Sequence, residues 1–260
     1  MRAGGWLPLA LAALHGLAGC GVPDEDAGGG ARVLVAVAAN FSRTHAELSR
    51  RFEARTGVRV EVSVGSTGQL YAQIANGAPF DVFLAADRLR PRLLEEAELI
   101  LPGTRFTYAT GRLALFGPGL DPVRADGLDL RDPRVVNVAL ANPRSAPYGA
   151  AAAAVLDRLG LTPLLTPRLV RGESVSQVLQ FVRSGAAELG FVALAQVIDE
   201  PADSYWVVPG GYHPPLDQDG VLLPAAAANA AARDYFAFLG SAEAREVIRS
   251  SGYAAPALLP

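Results

Sequence analysis

Apolar and polar positions along this chain keep two rhythms, and the switches between them are regular. Arg32 to Ala38 is an apolar run of strand length, after which Phe41, His45, Leu48 and Phe52 recur at helical spacing until Gly57. Val58, Val60, Val62 and Val64 alternate with Arg59, Glu61 and Ser63, the period of two that predicts a half-buried strand. Gly65 to Gly68 leads into a helix carrying Leu70, Tyr71 and Ile74. Phe80 to Ala85 is a third strand candidate, followed by Asp87 as a helix cap and a charged helix over about 89–99. This repeated strand-helix order predicts an α/β fold, with a mainly parallel sheet covered by helices on both faces.

The pattern restarts near Thr107 to Arg112. Leu113 to Phe116 and Val135 to Leu140 read as strands, and Gly149 to Leu159 as an alanine-rich helix stopped by Gly160. Val175, Val178, Leu179 and Val182 form the buried stripe of a helix that stops near Gly185, and Leu189 to Leu194 is an apolar strand. Beyond Val207 to Pro215 come Val221 to Leu223, a helix from about Ala225 to Leu239, and a last helix from Ala242 to Ser250. The expected partition is a first lobe of 31–108 and 216–260 and a second lobe of 109–215. The tail returns to the first lobe, so two chain crossings form a hinge.

The N-terminal residues stand apart from this fold. Arg2 gives a positive start, Trp6 to Leu17 is an apolar stretch too short to span a bilayer comfortably, and Leu17-Ala18-Gly19-Cys20 closes it, which predicts an export signal over 1–19. Those last four residues resemble the lipobox of bacterial lipoproteins, which implies cleavage before Cys20 and lipid on the new N-terminal cysteine. Cys20 is the only cysteine of the chain, and a position at the end of an export signal cannot belong to a core. Residues 20–30, glycine-rich and acidic, read as a flexible tether that lets the folded part stand away from a membrane leaflet.

Composition narrows the chemistry. Half of the 260 residues are hydrophobic, and the formal net charge is −3, or −4 once Arg2 leaves with the signal. No basic run of the nucleic-acid-binding kind occurs, so nucleic acid is not an expected partner. All 23 basic residues are arginine. The lack of lysine excludes Schiff-base chemistry, a pyridoxal-phosphate anchor and a phosphate-loop lysine. His15 lies in the signal, His45 in a helical pattern and His213 in a Tyr-His-Pro-Pro turn; no two share metal-ligand spacing, and no cofactor is expected.

Four short segments each end an apolar run with a polar or glycine-containing turn and then open a helix. They are Ala38-Ala39-Asn40, Gly65-Ser66-Thr67-Gly68, Ala146-Pro147-Tyr148-Gly149 and Glu173-Ser174-Val175. A helix start presents unpaired backbone N–H groups and the positive end of the helix dipole, so several converging on one point hold an anion without any basic side chain. The expected ligand is a small dianion. Donors from Asn40, Ser66, Thr67 and Tyr148 suit a fully deprotonated oxyanion, whereas a protonated phosphate needs an acceptor in the site. Taken singly, Asn40, Ser66 and Thr67 are ordinary N-cap residues, Tyr148 an ordinary core aromatic and Val175 the start of an apolar stripe. Glu173 has to point away from such a cradle.

The motifs also resemble a known family. Val35-Ala36-Val37-Ala38-Ala39-Asn40-Phe41, Gly65-Ser66-Thr67-Gly68 with Tyr71-Ala72-Gln73-Ile74, Asn76-Gly77-Ala78-Pro79-Phe80-Asp81-Val82-Phe83 with Ala85-Ala86-Asp87, Asn142-Pro143 with Ala146-Pro147-Tyr148-Gly149, and Leu189-Gly190-Phe191-Val192-Ala193 look in this order like the molybdate-binding proteins of bacterial molybdate importers. The similarity runs from about Val33 to Tyr253. It implies a two-lobed periplasmic-binding-protein fold of the second topological type, each lobe a mixed, mainly parallel sheet flanked by helices, with the ligand cleft between lobes. It also implies tetrahedral molybdate or tungstate held by neutral hydrogen-bond donors, with no protein ligand on the molybdenum itself. Carried over position by position, Ala39 and Asn40 match the first anion turn, Ser66 and Thr67 the second, Tyr148 the turn from the other lobe, and Val175 a backbone N–H donor. Many members have serine at the place of Asn40 and alanine at that of Tyr148, while one branch shares both residues seen here. Many also carry a tyrosine at the place of Ala193, which leaves Tyr148 as the replacement hydroxyl.

The implied activity is capture of the oxyanion in the periplasm or at the cell surface by a monomer anchored through lipidated Cys20. Delivery is to a membrane permease of an ABC importer with its separate ATPase, and no catalysis is involved. Sulfate or another tetrahedral oxyanion is the alternative ligand, since discrimination depends on cavity size. A serine hydrolase is the alternative of another class. Val64-Gly65-Ser66-Thr67-Gly68 is similar to a nucleophile elbow but lacks a glycine two residues before the serine, and only His45 or His213 could act as base. The cradle reading predicts that Asn40→Ala and Tyr148→Phe each weaken oxyanion binding by about 1–3 kcal/mol where the lost donor is buried. Titration calorimetry measures this, and unchanged affinity in both variants removes these residues from the site.

Overall fold

The computed structural model describes residues 31–120 and 128–255. The export signal expected over 1–19, the tether over 20–30 and the lipidation at Cys20 lie outside the described residues. The chain begins with β1 (Arg32–Ala38), α1 (Ser42–Thr56), β2 (Arg59–Gly65), α2 (Thr67–Ala75), β3 (Val82–Leu84), α3 (Leu89–Glu96) and β4 (Phe106–Gly111). It continues through β5 (Leu113–Phe116), β6 (Val138–Ala141), α4 (Pro147–Arg158), α5 (Thr162–Leu165), β7 (Leu169–Gly172), α6 (Val175–Arg183), β8 (Leu189–Ala193), α7 (Leu194–Val197) and β9 (Tyr205–Val207). β10 (Leu216–Leu222), α8 (Ala230–Leu239) and α9 (Ala242–Ser250) follow.

These strands form two five-stranded mixed sheets of the same plan, ordered β2-β1-β3-β10-β4 and β7-β6-β8-β5-β9. In the first, β1 pairs in parallel with β2 and β3, while β10 runs antiparallel to β3 and β4. In the second, β6 is parallel to β7 and β8, and β5 is antiparallel to β8 and β9. Each sheet is thus parallel over half of its pairings. The antiparallel half of the first sheet has a simple origin: the chain leaves on β4 and comes back beside it on β10. β4 keeps the first sheet going to Gly111, past residue 108, and sheet membership changes between Gly111 and Leu113.

Burial explains why β1 reads as a continuous apolar run. Val33, Val35 and Val37 pack with Leu48, Phe52, Tyr235 and Ile248, while Ala36 faces Leu70, Ile74, Phe83 and Leu94 on the other side. A central strand covered on both faces has no place for a polar alternate. β2 is an edge strand and differs from expectation. Val58 and Val60 pack against the core, but Val62 and Val64 are 51% and 48% exposed, so the alternation persists where no face is buried. The expected helix from Ala225 is also interrupted: Pro224–Ala227 is a 3₁₀ turn, and α8 starts only after Asn229, whose side chain accepts from Ala232 N at 3.3 Å. Gly57, at φ 71°, ends α1 as the pattern indicated. After α9 the chain returns to β4 through a bridge between Thr110 and Ala254.

His45 sits inside this packing, beside Tyr235 and Ser49. Its ring meets Tyr235 edge-on at 5.9 Å, Nδ1 is 3.3 Å from Ser49 Oγ, and Nε2 has no hydrogen-bond partner. Burial pushes its pKa down to about 4. The unfolded chain therefore takes up a proton near pH 6.5 that the folded chain refuses, and stability falls as pH drops between these two values. The expected loss from this residue is up to about 3 kcal/mol between pH 6.5 and pH 4. Denaturant melts across that range check it, with His45→Gln showing a shallower decline than the unmodified chain.

Candidate functional site

The four turns singled out in the sequence meet at one place. Ala39, Asn40, Ser66, Thr67, Tyr148 and Val175 all line a single small cavity, completed by Ala38, Ala86, Ala146 and Pro147. Ala39–Phe41 is a 3₁₀ turn running into α1; α2 begins at Thr67, α4 at Pro147 and α6 at Val175. Each of these starts follows a strand of a parallel pair, so the carboxyl ends of β1 and β2 in one sheet face those of β6 and β7 in the other. Unpaired N–H groups and helix-dipole ends are thus concentrated on one point. The cavity is small, about 10 Å³, room for about one water molecule.

No charged side chain lines the cavity. Glu173 is exposed and accepts from Gln69 Nε2 at 3.1 Å on the rim, outside the lining. Among its mostly apolar lining, Ser66, Thr67 and Tyr148 bear hydroxyl groups. Ser66 is 3% exposed, and its Oγ has no hydrogen-bond partner. A buried hydroxyl left unpaired costs about 1–3 kcal/mol unless a ligand satisfies it. Thr67 Oγ1 accepts from Ala86 N at 2.9 Å, and the Tyr148 hydroxyl accepts from Gln218 Nε2 at 3.2 Å. Each oxygen that accepts in this way keeps its own proton to donate. Burial raises the Tyr148 pKa further above its ordinary value, so the phenol stays protonated.

Asn40 behaves differently from the sequence expectation of a side-chain donor to the ligand. Its Nδ2 donates to Gln218 Oε1 at 3.0 Å and to the Tyr253 hydroxyl at 3.2 Å, so both hydrogens are engaged within the protein. Gln218, Tyr253 and Tyr108 escaped the sequence reading. The available signal was Gln218 itself, a polar residue on the same strand face as Leu216 in an otherwise buried strand. Ala193 lies at the end of β8 outside the lining.

Contacts across the cleft enclose the cavity. Gly68 N donates to Ser145 O at 2.8 Å, Ser176 Oγ to Ala39 O at 3.1 Å, and Arg90 Nη2 to Arg144 O at 2.9 Å. An Arg43–Asp199 ion pair joins the outer edge. The approach at Gly68 is so close that a Cβ there would stand 2.8 Å from Ser145 O and 2.9 Å from Ser145 Cα. Glycine is the residue that lets these two backbones touch.

Other sites lack these features. A wider groove lined by Arg43, Glu47, Arg50 and Asp199 is open to solvent and carries both signs of charge. A hydrolase needs a base within hydrogen-bond reach of its nucleophile. Ser66 Oγ has no such neighbour, while His45 meets Ser49 and Tyr235, and His213 Nδ1 meets Pro214 O at 2.7 Å. Among the described residues, no three His, Cys, Asp or Glu side chains gather as a protein-held metal would require.

Comparison with known proteins gives a consistent picture. Residues 33–254 match the family model described as bacterial extracellular solute-binding protein. The chain is 46% identical over 223 residues to the molybdate-binding protein ModA of Rhodobacter capsulatus, covering 85% of this chain and 87% of that one. It is 45% identical over 226 residues to the molybdate-binding protein ModA of Azotobacter vinelandii, covering 86% and 90%. The solved structure of the Azotobacter vinelandii periplasmic molybdate-binding protein superposes with a TM-score of 0.82 at 40% identity, covering 86% of this chain and all of that one.

The contact at Gly68 yields a direct test. Gly68→Ala is expected to weaken ligand binding by about tenfold or more, because the added methyl holds the two sides of the cleft apart, while the thermal midpoint of the ligand-free protein changes little. Calorimetric affinity and melting of the same preparation check both halves of this expectation.

Proposed function

The chain belongs to the bacterial extracellular solute-binding proteins, and from that premise we propose that it captures molybdate in the periplasm and delivers it to the membrane permease of an ABC importer. The observation that carries this reading is the small buried-walled cavity at four converging helix starts, whose lining includes the hydroxyls of Ser66, Thr67 and Tyr148 and no charged side chain. The hydroxyls of Ser66, Thr67 and Tyr148 each have a proton to donate, and no carboxylate stands among the lining residues. A tetrahedral dianion fits that chemistry, and a protonated oxyanion that needs an acceptor does not.

In this reading Ala39, Asn40, Ser66, Thr67, Tyr148 and Val175 form the anion shell, with Ser66, Thr67 and Tyr148 donating through side chains and Val175 through its backbone N–H. Hydrogen bonds to a charged group contribute about 1.5–3 kcal/mol each. A handful outweighs desolvation of the ion only when the donors are held in place before it arrives. We take the two sheets with their helices as two lobes, hinged where the chain crosses after Gly111 and before Leu216, and closing over the ion. Tungstate, of the same charge and shape, is bound by the same shell. The protein works as a monomer, tethered to a membrane through lipid on Cys20, and the permease and its ATPase are separate chains. No covalent bond is made or broken in this cycle.

Ligand that binds only the native state raises the thermal midpoint by mass action, adding about 2.7 kcal/mol at a free concentration one hundred times Kd. Molybdate and tungstate are expected to raise it, and phosphate is not. A rise with sulfate alone would keep the fold and change the substrate. No rise with any of the four oxyanions would overturn the reading.

A further inference from the structure

A chain of buried hydrogen bonds runs from the C-terminal segment to the cavity, and its polarity is set from the far end. The Tyr253 hydroxyl has one proton and donates it to the Asn40 backbone carbonyl at 2.8 Å. The Asn40 amide atom 3.2 Å from that same hydroxyl oxygen then has to be a donor, Nδ2. Its second contact, 3.0 Å away on Gln218, has to be an acceptor, Oε1. Oε1 also lies 3.0 Å from the Tyr108 hydroxyl, whose single proton is shared with Ala85 O at 2.9 Å, so it is the Asn40 contact that fixes Oε1 there. With Oε1 committed there, Gln218 Nε2 is turned toward Tyr148 and lies 3.2 Å from its hydroxyl oxygen. Tyr148 accepts at that contact, so its own proton is left for the cavity.

Reversing the two amides would reverse the outcome. Gln218 Oε1 would then face the phenol, Tyr148 would spend its proton on it, and the cavity would meet oxygen lone pairs that repel an oxyanion. Asn40, Gln218, Tyr148 and Tyr253 are all buried, which leaves each amide to be oriented by its neighbours. Gly111 keeps the last link open, since a Cβ there would lie 2.1 Å from the Tyr148 hydroxyl and 2.5 Å from Gln218 Nε2. That link also joins β10 of the first sheet to α4 beside the second, so it forms where the two halves meet.

We propose that Tyr253 and Gln218, neither of which lines the cavity, are positioning residues that act through Asn40 to hold the Tyr148 hydroxyl as a donor toward the bound dianion. This rests on the molybdate-binding reading above. It assigns Asn40 a role in the relay rather than a direct side-chain bond to the ion.

The test is a double-mutant cycle read by titration with molybdate. Tyr253→Phe removes the hydroxyl that starts the relay, its proton to the Asn40 backbone carbonyl and its oxygen facing Asn40 Nδ2, and keeps the ring against Phe41, which it meets edge-on at 5.5 Å; Gln218→Met removes the middle link at similar volume. Each is expected to weaken binding roughly 3- to 30-fold in the unmodified background and less than about twofold in a Tyr148→Phe background. A residue of merely structural importance would cost the same factor in both backgrounds, and that result, or no loss in either single variant, would overturn the relay. Failure of both variants to fold by circular dichroism would make the two residues part of the fold and also overturn it. Absence of molybdate binding by the unmodified protein would instead overturn the function itself, and the relay with it.

Discussion

An enclosed cavity without a charged side chain can hold an anion only if fixed dipoles replace the water that the ion gives up. That constraint governs the rest of this structure. A basic residue would supply attraction from many geometries, whereas N–H and O–H groups act over a short range and in one direction. The donors therefore have to be aimed beforehand. Helix starts do this with the backbone, and the acceptor bonds from Ala86 N to Thr67 and from Gln218 Nε2 to Tyr148 do it for hydroxyls.

The two halves of each sheet divide the work. The parallel halves, built on β1 with β2 and on β6 with β7, end in the turns whose residues line the cavity. The antiparallel halves carry the crossing between sheets, and β10 brings Gln218 to the place where the halves meet. A bulge between Gln218 and Asp219 lies in this strand, and buried Asp219 is held there by Arg105 at 2.9 Å and Thr107 at 2.7 Å. A buried carboxylate fixed by an arginine and a hydroxyl is costly to move, so the strand bearing Gln218 is anchored beside the very residue that orients Tyr148.

Much of this was legible from the residues in order. Strand and helix identities around β1, α1, α4, α6 and α9 follow from periodicity, and the six candidate residues come from turns that each open a helix. The parts that were not legible have physical causes. Val62 and Val64 keep a strand's alternation without a buried face, because local pattern does not report whether an edge strand has a neighbour. β4 and β9 are short and mixed in polarity, and they exist because β10 and β5 supply hydrogen-bond partners from distant sequence. The break at Asn229 pits helix propensity against a cap, and the cap prevails.

Residue types and local spacing alone carry the chemistry: no lysine, scarce histidine, and four polar or glycine-containing turns suited to an uncharged anion cradle. Those are properties of residue type and local spacing, which survive without knowledge of neighbours. Only the tertiary structure decided that the four turns share one cavity, that Gly68 lets the two sides touch at Ser145, and that the Asn40 amide turns toward Gln218 and Tyr253 rather than presenting its hydrogens to the cavity. A hydrogen bond's direction depends on which donor meets which acceptor across 178 or 213 positions of chain, and no local pattern carries that information.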